Sequence, residues 1–225
     1  MTAENEMRIT EKSRIKRAPT RAVYDRATVD AILDAGLLCH VGYVIDGAPY
    51  VTATCHWRKG DRVYWHGSAA SRMLRTVTSG VPVCFTVSHL DGIVLARSGF
   101  HHSVNYRGVT LFGEAVKIED EGEKLAALKD LSDRLTPGRW EELRPVNDQE
   151  MKGTTICALE IDEGSAKVRA GGPVDDEEDY NLDVWAGVVP VTTTLGAPIP
   201  DTRLKPGIAE PAYLREISIG RAPKP

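Results

Sequence analysis

Long apolar runs are missing from this chain of 225 residues: none approaches the roughly 20 residues that a membrane-spanning helix needs. The N-terminus also lacks the apolar segment of a secretory signal, so the expectation is a cytoplasmic protein with no membrane partner. Positive charge is not in excess. A net charge of −4 argues against nucleic acid as a partner, because phosphate-backbone binders concentrate Lys and Arg on one face. The basic cluster "EKSRIKRAPTR" lies in a polar opening segment, read as a flexible arm over residues 1–20. Cysteine is sparse and scattered: Cys39, Cys55, Cys84 and Cys157 show no CxxC spacing, and each sits in an apolar, strand-like run where a reduced thiol behaves as a small hydrophobe. The neighbours Cys39-His40 and Cys55-His56 point to opposite faces of a strand and cannot chelate one ion from one side, so no metal site is expected. There is no GxSxG elbow, and no histidine has an obvious nucleophile beside it, which leaves nothing for triad hydrolysis.

What is present is a succession of short strand signals. Thr28 is placed to cap a helix over "VDAILDA" that Gly36 ends. Strands are expected over 37–45, 49–57 and 61–67, the first two joined by the hairpin signal Asp46-Gly47. A helix over "SRMLRTVTSG" is closed by Gly80. Strands resume at 81–90 and 92–98 around a second hairpin signal, Asp91-Gly92. A long run follows in "YRGVTLFGEAVKIED", where Gly108 and Gly113 permit bulges or close backbone approach. Leu125, Leu128 and Leu135 share a helical face in 121–135, and a short helix near 148–152 leads to "TTICALEID" and "SAKVRA", read as a hairpin. From residue 171 the composition turns acidic and rich in Gly and Pro, with "LDVWAGVVPV" as an apolar knot that would tie a tail down at Trp185. Many short antiparallel strands with few helices and no second core indicate one mainly β domain over 21–170, a small barrel or sandwich, with a tail over 171–225.

The stretch "VYWHGSAASRMLR" hands a strand over to a helix through His66 and Gly67. Ser68 is placed to cap the helix, and Ser71 and Arg72 fall in its first turn. Free N–H groups, a hydroxyl and a guanidinium fork gathered there suit a phosphate. The same residues also suit a capped surface helix whose Arg72 meets a nearby carboxylate. A second dense stretch, "DGIVLARSGFHHSVNYRGVTLFGEA", gathers Ser98, His101, His102, Ser103, Asn105 and Arg107 between strand signals. These groups could read the polar edge of a ring or form a solvated loop.

Taken together, "PYVTATCHWRKGDRVYWHGSAASRMLR", "GVPVCFTVSHLDGIVLARSGFHHSVNYRGVTLFGEA" and "DVWAGVVPV" resemble the flavin-nucleotide-binding proteins of the pyridoxamine 5′-phosphate oxidase-like superfamily, in the branch related to nitroimidazole-resistance proteins. The resemblance runs from about residue 23 to 191. It implies a six-stranded antiparallel split β-barrel of Greek-key type with a few peripheral helices, a homodimer, and FMN held in clefts between the subunits. By position, Thr52, Ala53 and Thr54 would border the isoalloxazine ring, while His66, Gly67, Ser71 and Arg72 would serve the phosphate end. Ser103 and Asn105 would be hydrogen-bond partners of the flavin, and Trp185 with Gly187 would either close the cleft or pack on the barrel. The Arg-x-x-x-x-Lys strand motif of true pyridoxamine-phosphate oxidases is absent from 49–58, which turns the expectation away from pyridoxamine phosphate as substrate. No Gly-rich Rossmann fingerprint is present, so a nicotinamide cofactor would bind only transiently. The resulting expectation is an FMN-dependent oxidoreductase acting on a small substrate. The alternatives are a flavin carrier or sensor without turnover, and a haem-binding protein on the same barrel with His66, His101 or His102 as axial ligand.

Overall fold

The computed structural model describes residues 5–220. A two-residue strand β1 (Ala22–Val23) precedes helix α1 (Arg26–Ala35). The cap of α1 is Asp25 rather than Thr28: its carboxylate accepts from the Thr28 amide at 2.9 Å and starts the helix at Arg26. Gly36 ends α1 in extended geometry (φ −109°), so its small size matters here and not a left-handed turn. A Cβ at this position would lie 3.1 Å from both the His89 ring and Val87.

Strands β2 (Leu38–Ile45) and β3 (Ala48–Lys59) form the expected hairpin, with Asp46 and Gly47 both at positive φ (50° and 79°), which matches the right-handed twist of the flanking strands. Strand β4 (Arg62–Ser68), helix α2 (Arg72–Val77) and strand β5 (Pro82–Leu95) follow. Asp91-Gly92 makes no hairpin. β5 runs through it with a register shift between Leu90 and Gly92. Two contacts hold the chain extended there: Asp91 pairs with the buried Arg107 at 3.3 Å, and Gly92 admits a tail strand so close that a Cβ would lie 3.0 Å from Val188.

Strand β6 (Ser103–Glu114) pairs along most of β5, followed by β7 (Val116–Lys117), α3 (Glu121–Leu135), α4 (Asp148–Gly153), β8 (Thr154–Glu160), β9 (Glu163–Arg169) and β10 (Gly187–Pro190). β8 and β9 are not a hairpin. β8 pairs with β4 and β7, whereas β9 pairs with β6 and β1. The glycines of β6 serve close approach: a Cβ on Gly113 would lie 2.8 Å from Leu159.

The ladder order is β1-β9-β6-β5-β2-β3-β4-β8-β7, with β10 added to β5. This antiparallel sheet of ten strands replaces the expected six, and its ladder does not close into a barrel among the described residues. It must nevertheless curl. Laid flat, β9 and β8 would stand about 29 Å apart, yet the link from Glu160 to Glu163 spans at most about 11 Å. The curl encloses a core to which both halves contribute, including Val41, Phe85 and Leu111 from one and Val63, Trp65 and Leu159 from the other. A second, smaller cluster, unforeseen in the sequence, forms where α3 covers Trp57, Ile156 and Ala158. The residues of α3 that turn inward are Ala127 and Leu131 with Leu128 partly so, while Leu125 and Leu135 stay exposed.

The opening segment lies against the sheet. Met7 is buried, its amide donates to the Tyr24 carbonyl at 2.8 Å, and Thr10 donates to Glu163 at 2.6 Å. The tail is fixed by the pairing of β10 with β5 and by Gly220, whose amide donates to the Ala35 carbonyl at 2.8 Å. It is not fixed by Trp185, which remains 66% exposed in this chain. No helix among the described residues is long and apolar enough to cross a membrane.

Candidate functional site

The turn from β4 to α2 carries His66, Gly67, Ser71 and Arg72. Gly67 admits α2: a Cβ there would lie 3.0 Å from Leu74. Ser71, not Ser68, caps α2, its hydroxyl oxygen accepting from the Leu74 amide at 3.4 Å. Ser68 instead accepts from the Ala70 amide at 3.2 Å within the turn. Among the described residues the Ser71 hydroxyl donates to no acceptor.

Arg72 is exposed and meets no carboxylate among the described residues. Its guanidinium lies over the ring of Tyr50, 4.8 Å from the centroid. A capped surface helix with an Arg72 ion pair is therefore not what forms. The charge and N–H donors of Arg72 are left for an oxyanion, so the residues present fit the phosphate end of a cofactor. Tyr50 escaped the sequence reading. Its signal is the two-residue period of a strand, which puts it on the face of Thr52 and Thr54.

His66 stands on the other face of β4, edge-on to Trp57 at 6.0 Å between ring centroids. Its Nδ1 is buried without a hydrogen-bond partner, and burial holds its pKa below the ordinary histidine value. The neutral imidazole that results can accept a proton or bind a metal.

Of the residues expected at the flavin ring, Thr52 and Thr54 are half-buried and Ala53 is exposed on the opposite face, opposite His40. Thr52 Oγ1 is 3.1 Å from the Tyr43 hydroxyl, and Tyr43 stacks on Tyr50 at 5.7 Å. Thr52 and Arg72 are thus joined through two tyrosines.

Ser103, Asn105 and Trp185 lie elsewhere. Ser103 and Asn105 pair with Val94 and Gly92 at the far end of β5, and Gly187 pairs with Leu95 beside Trp185. Thr52 is carried beside Phe85 through Val41. Along an extended strand Phe85 stands about 23–30 Å from Gly92 and Val94. One chain therefore does not bring the two groups together. Asn105, buried, already donates to the Gly171 carbonyl at 3.0 Å and accepts from Arg169, so it fixes the start of the tail.

His101 and His102 form a turn between β5 and β6. His102 Nδ1 is 2.9 Å from the Ser98 carbonyl and must donate to it, which turns Nε2 away as the ring nitrogen open to a metal. His101 Nδ1 is 2.9 Å from the Ser98 hydroxyl, and the ring comes near Asp175 and Asp179. Asp175 is engaged by Arg97, whose amide and guanidinium donate to it at 2.9 and 3.1 Å, a second fastening of the tail.

The chain is similar along most of its length to proteins of known structure. The family described as pyridoxamine 5′-phosphate oxidase matches residues 25–168. The structure of the flavocytochrome Anf3 from Azotobacter vinelandii is 45% identical, covers 94% of this chain and 98% of its own, and superposes with a TM-score of 0.90. An FAD and haem binding protein from Mycobacterium smegmatis is 38% identical over 88% of this chain and 97% of its own, with a TM-score of 0.85. A candidate 5-nitroimidazole antibiotic resistance protein from Bacteroides thetaiotaomicron, 21% identical over 65% of this chain and 86% of its own at a TM-score of 0.54, shares the fold. No curated protein matches the chain. The matched residues and the two long, full-length similarities place the chain in the pyridoxamine 5′-phosphate oxidase-like split-barrel family.

Proposed function

We propose that this protein is a flavocytochrome: a redox protein that binds a flavin nucleotide at the β4–α2 turn and a haem through a histidine. The observation that carries the reading is the 45% identity to the Azotobacter flavocytochrome over 94% of the chain. It favours the haem-binding alternative over an enzyme with flavin alone. The description of the mycobacterial relative as FAD and haem binding favours FAD over the FMN expected from the sequence. The donors of Ser71 and Arg72 supply the phosphate contacts, and His66 or His102 Nε2 offers an imidazole nitrogen to iron. A flavin supplies two-electron and one-electron chemistry and a haem one-electron chemistry. The chain's own part is to bind, orient and shield them.

A homodimer completes this reading. Leu38, Val44, Val51 and Leu90 share the outward face of β2, β3 and β5, all exposed. Association of two copies through that face would cover it, and a second copy is what a site left incomplete in one chain needs.

The absorption spectrum of the purified protein tests the proposal. Flavin bands together with a Soret band are expected. Either His66→Ala or His102→Ala should abolish the Soret band while the flavin bands remain. A protein that purifies with flavin and takes up no haem on reconstitution would reduce the reading to a simple flavoprotein.

A further inference from the structure

A carboxylate would hold Arg72 in place by occupying its N–H fork. The structure holds it by another means. The guanidinium rests on the face of Tyr50, 4.8 Å from the ring centroid, and such a contact consumes no N–H donor. Tyr50 itself has little freedom. It stacks on Tyr43 with ring centroids 5.7 Å apart and planes 13° apart, and Tyr43 is buried with its hydroxyl 3.1 Å from Thr52. Arg72 is therefore braced from the core with its donors still available.

We infer that Tyr50 is a positioning residue: its ring pre-orients Arg72 so that the turn selects flavins carrying a phosphate over those without one. The inference rests on the proposed phosphate site at Ser71 and Arg72, and adds the device that sets its selectivity. An unbraced arginine on an exposed six-residue helix would have to lose its rotamer freedom when it meets the phosphate. A braced one has lost much of it already, so more of the contact free energy appears as affinity. A carboxylate in place of Tyr50 would order Arg72 equally well, but would cancel the charge the phosphate needs. An aromatic ring orders it and leaves the charge.

The test is a titration of the full-length apoprotein with FAD, FMN and riboflavin, in wild type, Tyr50→Phe, Tyr50→Leu and Arg72→Ala. Tyr50→Phe keeps the ring and should bind all three as wild type does. Tyr50→Leu should weaken FAD and FMN by about two- to fivefold, the range of a cation–π contact at an exposed site, and leave riboflavin unchanged. Tyr50→Met serves in its place if the leucine variant melts well below wild type. Arg72→Ala should weaken the two nucleotides at least as much. If Arg72→Ala weakens them and neither Tyr50 variant does, Tyr50 has no positioning role. Equal loss of riboflavin in the Tyr50 variants would mean that the ring acts on the isoalloxazine or on the fold, and would also overturn the inference. If Arg72→Ala binds FAD and FMN as wild type does, the phosphate site itself is misplaced and the inference goes with it.

Discussion

His56 sits fully buried on β3, edge-on to Phe85 at 5.5 Å, with Nε2 3.1 Å from the Leu33 carbonyl. Nε2 must donate to that carbonyl, which fixes the neutral tautomer, and burial pushes its pKa down to about 4. Because the folded value lies below the unfolded one, the unfolded chain binds the extra proton more readily. Stability is full above the ordinary histidine range and falls as pH drops toward about 4, by on the order of 3 kcal/mol for this group. His66 and His89 are shifted the same way by burial and add to the fall. His56→Phe should lower stability at pH 7, since the Leu33 carbonyl loses one of its two donors and keeps only the Gly36 amide at 3.3 Å, yet shrink the difference between denaturation midpoints at pH 7 and pH 4.5. A difference as large as in wild type would show that His56 is not its source. At this scale the sequence was partly legible. His66, Ser71 and Arg72 could be found because their neighbours in sequence are their neighbours in space. The partner of Arg72 could not, because Tyr50 lies 22 positions away and meets it only once β3 and α2 are packed.

Asp-Gly occurs at 46–47 and at 91–92, and only the first pair makes a turn. The dipeptide favours the turn equally at both sites. What differs is the surroundings: Asp46 and Gly47 lie exposed at a strand end, whereas Asp91 faces Arg107 and Gly92 faces the tail. Gly92→Ala tests this directly. Its Cβ would lie 3.0 Å from Val188 and 3.3 Å from the Val189 carbonyl, so β10 must move away from β5. The expected cost is about 1–3 kcal/mol, seen as faster amide exchange over 187–190 and earlier proteolysis within the tail while the rest of the sheet keeps its protection. Unchanged exchange there would show that β10 adapts without leaving β5. The β8–β9 reading failed for a related reason. Two adjacent strand signals suggest a hairpin, but each of these strands finds its partners in a different half of the curled sheet.

For the whole molecule, the outward face of β2 and β3 carries the consequence of the proposed dimer. Val51 is 70% exposed and sits opposite Gly42 in the middle of that face. A lysine there would not disturb the chain's own core, but would place a charge in an apolar interface. Val51→Lys should give a folded monomer by light scattering, with wild-type circular dichroism and little retained flavin. A flavin-loaded dimer would show that the copies meet elsewhere or that one chain suffices.

The sequence by itself determined what depends on near neighbours: the β2–β3 hairpin, the handover from β4 to α2, the capped α3 and α4, and the mainly β class. Turn geometry, capping and the two-residue period act over a few positions and are written in consecutive residues. Only the tertiary structure decided which strands pair, that Trp185 stays in solvent, that Asn105 holds the tail, and that Arg72 rests on an aromatic ring instead of a carboxylate. Those outcomes depend on contacts between residues far apart in the chain, where many pairings are locally acceptable and the burial of the shared core selects among them.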